Sequence, residues 1–133
     1  MPLNKKAGAK RLVDMSPPLP PWSPELETVE EYTQQIFIND HTSFYVRIEL
    51  DERRRLNEWA VTQVRDGLRI AAYDVCHGKG YHVHLYNRHE EEFDQVFISA
   101  VDGYAEMDAS LTDAYDRVSR NFDENERRCD RGR

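Results

Sequence analysis

Asn57-Glu58-Trp59-Ala60-Val61-Thr62-Gln63-Val64-Arg65-Asp66-Gly67-Leu68-Arg69-Ile70-Ala71-Ala72-Tyr73-Asp74-Val75-Cys76-His77-Gly78-Lys79-Gly80-Tyr81-His82-Val83-His84 is the stretch that decides the fold. Polar and apolar side chains alternate on both sides of Asp66-Gly67, a pair that tolerates positive φ at both positions and so closes a two-residue hairpin. Gly78-Lys79 permits a second tight turn. Asn57 to Arg65, Leu68 to His77 and Gly80 to Asn87 therefore read as three consecutive strands of a β-meander.

Toward the N-terminus, Gln34 to Asn39 and Ser43 to Asp51 carry β-branched and aromatic residues and are separated by Asn39-Asp40-His41, which predicts two further strands. Ser23-Pro24-Glu25 has the form of an N-cap, a first-turn proline and an early acid, so a short helix is predicted over 24–32. Residues 1–22 end in Pro17-Pro18-Leu19-Pro20-Pro21-Trp22 and are expected to be an extended tail, lying against the domain or docking in a partner's aromatic groove. Toward the C-terminus, Tyr104, Met107, Leu111, Ala114, Val118 and Phe122 recur at intervals of three and four, the stripe of an amphipathic helix over about 103–122. Residues 88–101 stay open between helix and strand, and the charged end 123–133 is expected to fray. The fold class is therefore α+β: one domain over 23–122, a four- to five-stranded antiparallel sheet packed on a C-terminal helix, with a short N-terminal helix.

A chain of 133 residues, 39% hydrophobic and 32% charged, has material for one thin core. No apolar run approaches the ~20 residues needed to cross a bilayer, and the basic start lacks a signal's apolar stretch, so a cytoplasmic protein with no membrane association is expected. Cys76 and Cys129 do not make a disulfide framework. The net charge of −7 understates the acidity of the body, because Lys5, Lys6, Lys10 and Arg11 precede the first acid. Such a balance disfavours general binding of duplex DNA, which depends on neutralising phosphates.

Strand register converts this pattern into two faces. With two-residue loops at both turns, Trp59 faces Asp74, Val61 faces Ala72, Tyr73 faces His84 and Val75 faces His82. Trp59, Val61, Ile70, Ala72, Cys76, Tyr81, Val83 and Leu85 then form the core side, joined by Phe44, Val46, Ile48 and Leu50. The open side gathers Arg47, Glu58, Arg69, Tyr73, His82, His84 and Tyr86 around the small Ala60 and Ala71, and this mixture suits a ligand surface better than a merely solvated one.

Three chemistries compete for that face. His82 and His84 would form part of a metal site, yet no Cys-x-x-Cys or His-Glu-x-x-His motif accompanies them and Cys76 points away, so no metal or other cofactor is expected. General acid–base cleavage of RNA would use His82 and His84, with Glu58 as alternative acid. Arg47 and Arg69 would then hold the phosphate, and Tyr73 and Tyr86 would stack on bases. The third reading is non-catalytic: a half-buried aromatic and histidine face that binds or inhibits a protein partner.

Leu68-Arg69-Ile70-Ala71-Ala72-Tyr73-Asp74, followed by His77-Gly78-Lys79-Gly80-Tyr81-His82-Val83-His84, resembles small bacterial and phage proteins distantly similar to TumE-type toxins of toxin–antitoxin pairs, over about residues 42–90. The resemblance implies a small sheet in which Arg69, Asp74, His82 and His84 are the matching residues, an RNA substrate and a small neutralising protein partner. In architecture alone the chain is similar to RelE-type ribonuclease toxins, from which its acidity departs.

Overall fold

The computed structural model describes residues 27–76 and 80–132. Six strands follow one another in sequence: β1 (Glu30–Phe37), β2 (Thr42–Leu50), β3 (Leu56–Arg65), β4 (Leu68–Cys76), β5 (Gly80–Tyr86) and β6 (Glu92–Ser99). A single helix, α1 (Tyr104–Arg131), ends the chain. The strands form one antiparallel sheet in the order β1-β2-β3-β4-β5-β6. The α+β class, the antiparallel sheet and the C-terminal helix are as expected. The strand count is six instead of four or five, because the open segment 88–101 supplies an edge strand.

Three of the turns among the described residues have local chemical causes. Asp66 and Gly67 have φ of 50° and 83°, the mirror-image turn that matches strand twist. The β2–β3 and β5–β6 connections share a different device, in which one side-chain acceptor gathers two backbone N–H groups. Asp51 Oδ1 accepts from Arg53 and Arg55, and Asn87 Oδ1 accepts from His89 and Glu91. The third residue after each acceptor, Arg54 or Glu90, takes positive φ, as a three-residue hairpin loop requires.

The short helix predicted over 24–32 is corrected: residues 27–29 are irregular and β1 begins at Glu30. The helix-start signal is local, whereas Tyr32, Gln34 and Ile36 pair with Ile48, Val46 and Phe44 on β2, and the ladder prevails. Residues 24–26, the proline-rich segment 1–22 and His77 lie outside the described residues. The frayed C-terminal end is also corrected, because α1 continues to Arg131. Asn125 and Cys129 extend the buried stripe of Met107, Ser110, Ala114 and Val118 by two more turns, and Glu124 pairs with Arg127 and Arg128 on the solvent side.

Helix α1 covers β3, β4 and β5. Its apolar stripe meets Trp59, Val61, Tyr73, Val75, Tyr81, Val83 and Leu85, all buried. Buried polar groups between the two layers are partnered. Trp59 Nε1 donates to Ser110 Oγ at 3.0 Å, Tyr81 donates to Asp113 at 2.8 Å, and Asn125 Nδ2 donates to Gln63 Oε1 and to the Tyr73 hydroxyl.

One irregularity sets the faces. Arg65 pairs with Leu68 and Val64 with Arg69, but the next pair is Gln63 with Ala71, so Ile70 is an extra residue in β4. Beyond this bulge the side chains from Ala71 to Val75 lie on the face opposite to that of an unbroken hairpin. Ala71, Tyr73 and Val75 face the helix, while Ala72 and Asp74 face the open side. The β4–β5 register agrees: Cys76 pairs with Gly80, Asp74 with His82 and Ala72 with His84. The predicted pairings of Tyr73 with His84 and Val61 with Ala72 are therefore corrected by one residue.

Candidate metal centre

On the open face, β4 and β5 bring together three donor atoms. His82 Nε2 lies 2.8 Å from Asp74 Oδ1, His84 Nε2 lies 3.6 Å from that oxygen, and the two Nε2 atoms are 2.9 Å apart. His82 and His84 share a face because two residues separate successive same-side positions on a strand, and Asp74 is the cross-strand neighbour of His82.

The other nitrogen of each ring is already committed. His82 Nδ1 is 3.1 Å from the carbonyl oxygen of Gly80 and His84 Nδ1 is 2.7 Å from Glu92 Oε1. Both oxygens can only accept, so each Nδ1 carries the proton and donates it. In the neutral rings both Nε2 atoms are then bare lone pairs that point at each other and at a carboxylate oxygen. Asp74 Oδ1 is buried, and its near neighbours are these two ring nitrogens. Lone pairs at these distances repel unless a cation, a proton or a metal ion, sits among them. Burial pushes the Asp74 carboxyl above its ordinary value, against the opposing pull of His82, His84 and Arg47.

This donor set is suited to a metal. Two imidazoles and one carboxylate, each imidazole held by a second hydrogen bond to a carboxylate or a backbone carbonyl, is the outer-sphere pattern of protein metal ligands. Two metal–nitrogen bonds of ~2.05 Å separate their nitrogens by about 2.9 Å at the right angle of an octahedral or square site and by about 3.3 Å at a tetrahedral angle, so the 2.9 Å between the two Nε2 atoms matches the former. His82 is buried and His84 and Asp74 are partly exposed, so the three donors would leave the solvent side of the ion open.

The surroundings are acidic. Register places Glu58 beside Glu49 and Glu49 beside Glu31, a row of three carboxylates across β3, β2 and β1. Arg47 is held within that row, 2.9 Å from Glu49, 3.7 Å from Glu58 and 3.9 Å from Glu31. Between Arg47 and the histidines the floor is Ala60, Thr62 and Ala72. At the other end Tyr86 stacks beside His84, with ring centroids 6.4 Å apart, and the Arg69 guanidinium lies 4.4 Å above the Tyr86 ring.

Of the residues expected to act here, the structure brings His82, His84, Arg69 and Tyr86 together. It puts Arg47 and Glu58 on the same face, in the acidic row. Tyr73 is on the opposite face, under α1 and bonded to Asn125, so its expected contact with a ligand on this surface is corrected. Asp74 entered the expectation only as a matching residue of the TumE-type resemblance, with no role on the face, and Glu92 did not enter it. Asp74 was hidden by the bulge and Glu92 by the undecided segment 88–101. The signal for Asp74 was a carboxylate that the unbroken register put beside Trp59, in the core.

Comparison with protein-family models, curated proteins and solved structures finds no match to this chain.

Proposed function

We propose that this protein binds a divalent transition-metal ion through Asp74 Oδ1, His82 Nε2 and His84 Nε2, with Glu92 and the Gly80 carbonyl orienting the rings. The observation that carries the reading is the convergence of two imidazole nitrogens, whose N–H groups are directed elsewhere, on one buried carboxylate oxygen. Imidazole and carboxylate donors favour zinc, iron, nickel or copper over magnesium and calcium, which take oxygen alone. Three protein ligands on an open sheet leave positions for water or substrate, the arrangement of a reactive metal and not of a closed structural one.

Calorimetric titration of the purified chain with Zn2+ and Co2+ tests this. One ion should bind per chain, and His84→Ala or His82→Ala should weaken binding at least about 100-fold, because a lost ligand exceeds the ~10–100-fold cost of losing an outer-sphere partner. Tight binding that survives both substitutions would place the metal elsewhere and end the proposal.

A second reading is metal-free: one proton shared between His82 and His84 would let the pair act as base and acid on RNA, the substrate to which the TumE-type resemblance points. Asp74, His82 and His84, three residues of that resemblance, touch one another on this face, which supports it, and the fourth, Arg69, stands over Tyr86. The row of Glu31, Glu49 and Glu58 opposes it, since it repels a polyanion and occupies Arg47. RNA cleavage that persists in EDTA and disappears in the His82→Ala variant would favour this reading over the metal.

A further inference from the structure

We infer that two copies of this chain join their sheets through antiparallel β1–β1 pairing about a two-fold axis at Gln34. The sheet has two edges, β1 and β6, and they are built differently. In β6 the register with β5 shifts twice, which leaves Phe93 and Ile98 as extra residues. Such bulges twist an edge away from pairing with another chain. In β1 the eight residues Glu-Glu-Tyr-Thr-Gln-Gln-Ile-Phe pair with β2 in one unbroken register, with no Pro, Gly, Lys or Arg among them. One edge is blunted and the other is left able to pair.

The alternation of hydrogen bonds identifies the groups that β1 offers. Ile38 N–H donates to the Thr42 carbonyl oxygen, so these two form a bonded pair of the β1–β2 ladder. Every second pair of an antiparallel ladder is bonded, which commits Ile36, Gln34 and Tyr32 to Phe44, Val46 and Ile48. On the far side of β2, Asp66 N–H donates to the His41 carbonyl oxygen, so the odd-numbered residues of β2 bond to β3, in agreement. Glu31, Thr33, Gln35 and Phe37 therefore turn their N–H and C=O groups outward, where among the described residues no strand pairs with them. Apolar side chains accompany this edge: Phe37 is 72% exposed, and Tyr32, Ile38 and the neighbouring Tyr45 are exposed as well.

The order of side chains along β1 selects a second copy in antiparallel orientation. Acids stand at its start, Glu30 and Glu31, and apolar residues at its end, Ile36 and Phe37. Parallel pairing would set acid beside acid. Antiparallel pairing centred on Gln34 matches Glu31 with Phe37 and Thr33 with Gln35, which uses all four outward residues, and sets Tyr32 against Ile36 on the helix side. The two Glu31 carboxylates are then about 20 Å apart along the strands, well beyond the ~8 Å screening length. Glu30 is already met by Arg54 of its own chain at 2.9 Å. Pairing of β1 with β6 of another copy would be head-to-tail and would grow without closing, whereas the two-fold arrangement closes at a dimer. Its axis is perpendicular to the sheet, so the open faces of both copies lie on the same side.

Sedimentation equilibrium of the full chain over micromolar to millimolar concentrations should show a monomer–dimer equilibrium. Gln34→Lys sets two ammonium groups against each other across the axis and Gln34→Glu sets two carboxylates; Gln34 is exposed, so the core is untouched, as an unchanged circular dichroism spectrum should verify. Each substitution alone should raise the dimer Kd about 10-fold or more, and an equimolar mixture of the two variants should regain wild-type affinity or better. Recovery on mixing requires position 34 of one copy beside position 34 of another, which neither a foreign strand nor another segment of the same chain lying on β1 would provide. A wild type that stays monomeric throughout, a dimer that both substitutions leave intact, or weakened variants that mixing does not restore would each overturn the inference.

Discussion

Gly80 serves two ends at the residue scale. Its φ is 72°, and a Cβ there would meet the Ser99 carbonyl oxygen at 2.7 Å, while its own carbonyl receives the His82 ring proton. Gly80→Ala is therefore expected both to destabilise the domain and to weaken metal binding, read by urea unfolding and by Co2+ titration of the same samples. Gly67 separates the two effects. It has φ of 83° with nothing within 4 Å of where a methyl group would stand, so Gly67→Ala should cost about 1 kcal/mol through the backbone alone and leave Co2+ affinity unchanged. Glu92→Gln keeps an acceptor for His84 but removes the charge that makes its ring a stronger donor to metal. A fall of about 10-fold in metal affinity with an unaltered unfolding midpoint is the expected result. Such residues were only half legible beforehand: the alternation of His82 and His84 put them on one face, but nothing local identified Glu92 as their neighbour.

Among the elements, β4 decides the site and α1 decides the register of β4. Without the bulge at Ile70, Asp74 would lie beside Trp59 under the helix and Tyr73 would stand on the open face. Under the helix the Asp74 carboxylate would be buried without the histidines that flank it on the open face, at a cost of several kcal/mol, whereas the bulge costs a ladder hydrogen bond and gives the Tyr73 hydroxyl a partner in Asn125. That exchange depends on α1 reaching Asn125, beyond the apolar stripe that ends at Phe122. Asn125→Leu, which removes the amide but keeps a helix former, should leave Gln63 and Tyr73 without their shared donor and lower stability by about 1–3 kcal/mol. Thermal unfolding followed by circular dichroism checks it; a variant as stable as wild type would mean that the polar network does not hold β4 in register. The charge-rich composition of 123–133 reads as a solvated tail because, among its described residues, Asn125 and Cys129 are the buried ones, and neither is a strongly apolar signal.

For the whole molecule, two carboxylates tie loops and layers together and give the fold an acid limit. Burial would raise Asp51, but the N–H groups of Arg55 and Arg53, the Arg55 guanidinium and the Tyr104 hydroxyl outweigh it and hold its carboxyl below the ordinary aspartate value. At Asp113 the burial effect is likewise outweighed, by the Tyr81 hydroxyl and Arg117. A carboxyl depressed in the folded state contributes stability above its unfolded pKa and loses it as pH falls through the folded one. Stability should therefore drop as pH falls below about 3.9, and Asp113→Asn should reduce that drop, as measured by urea midpoints from about pH 6 to about pH 2. Sequence alone determined what depends on neighbours along the chain: the hairpin at Asp66-Gly67, the meander, the helical stripe from Tyr104 and the pairing of His82 with His84 on one strand face. Tertiary structure decided what depends on partners distant in sequence: the bulge that exchanges Tyr73 for Asp74, the edge strand that brings Glu92 to His84, and the extra turns of α1. The physical reason is that periodicity fixes a side chain's face only relative to its own strand. Which face is buried past a register shift is set by the cost of desolvating a carboxylate against the gain of packing an aromatic ring, and that balance exists only once the layers meet.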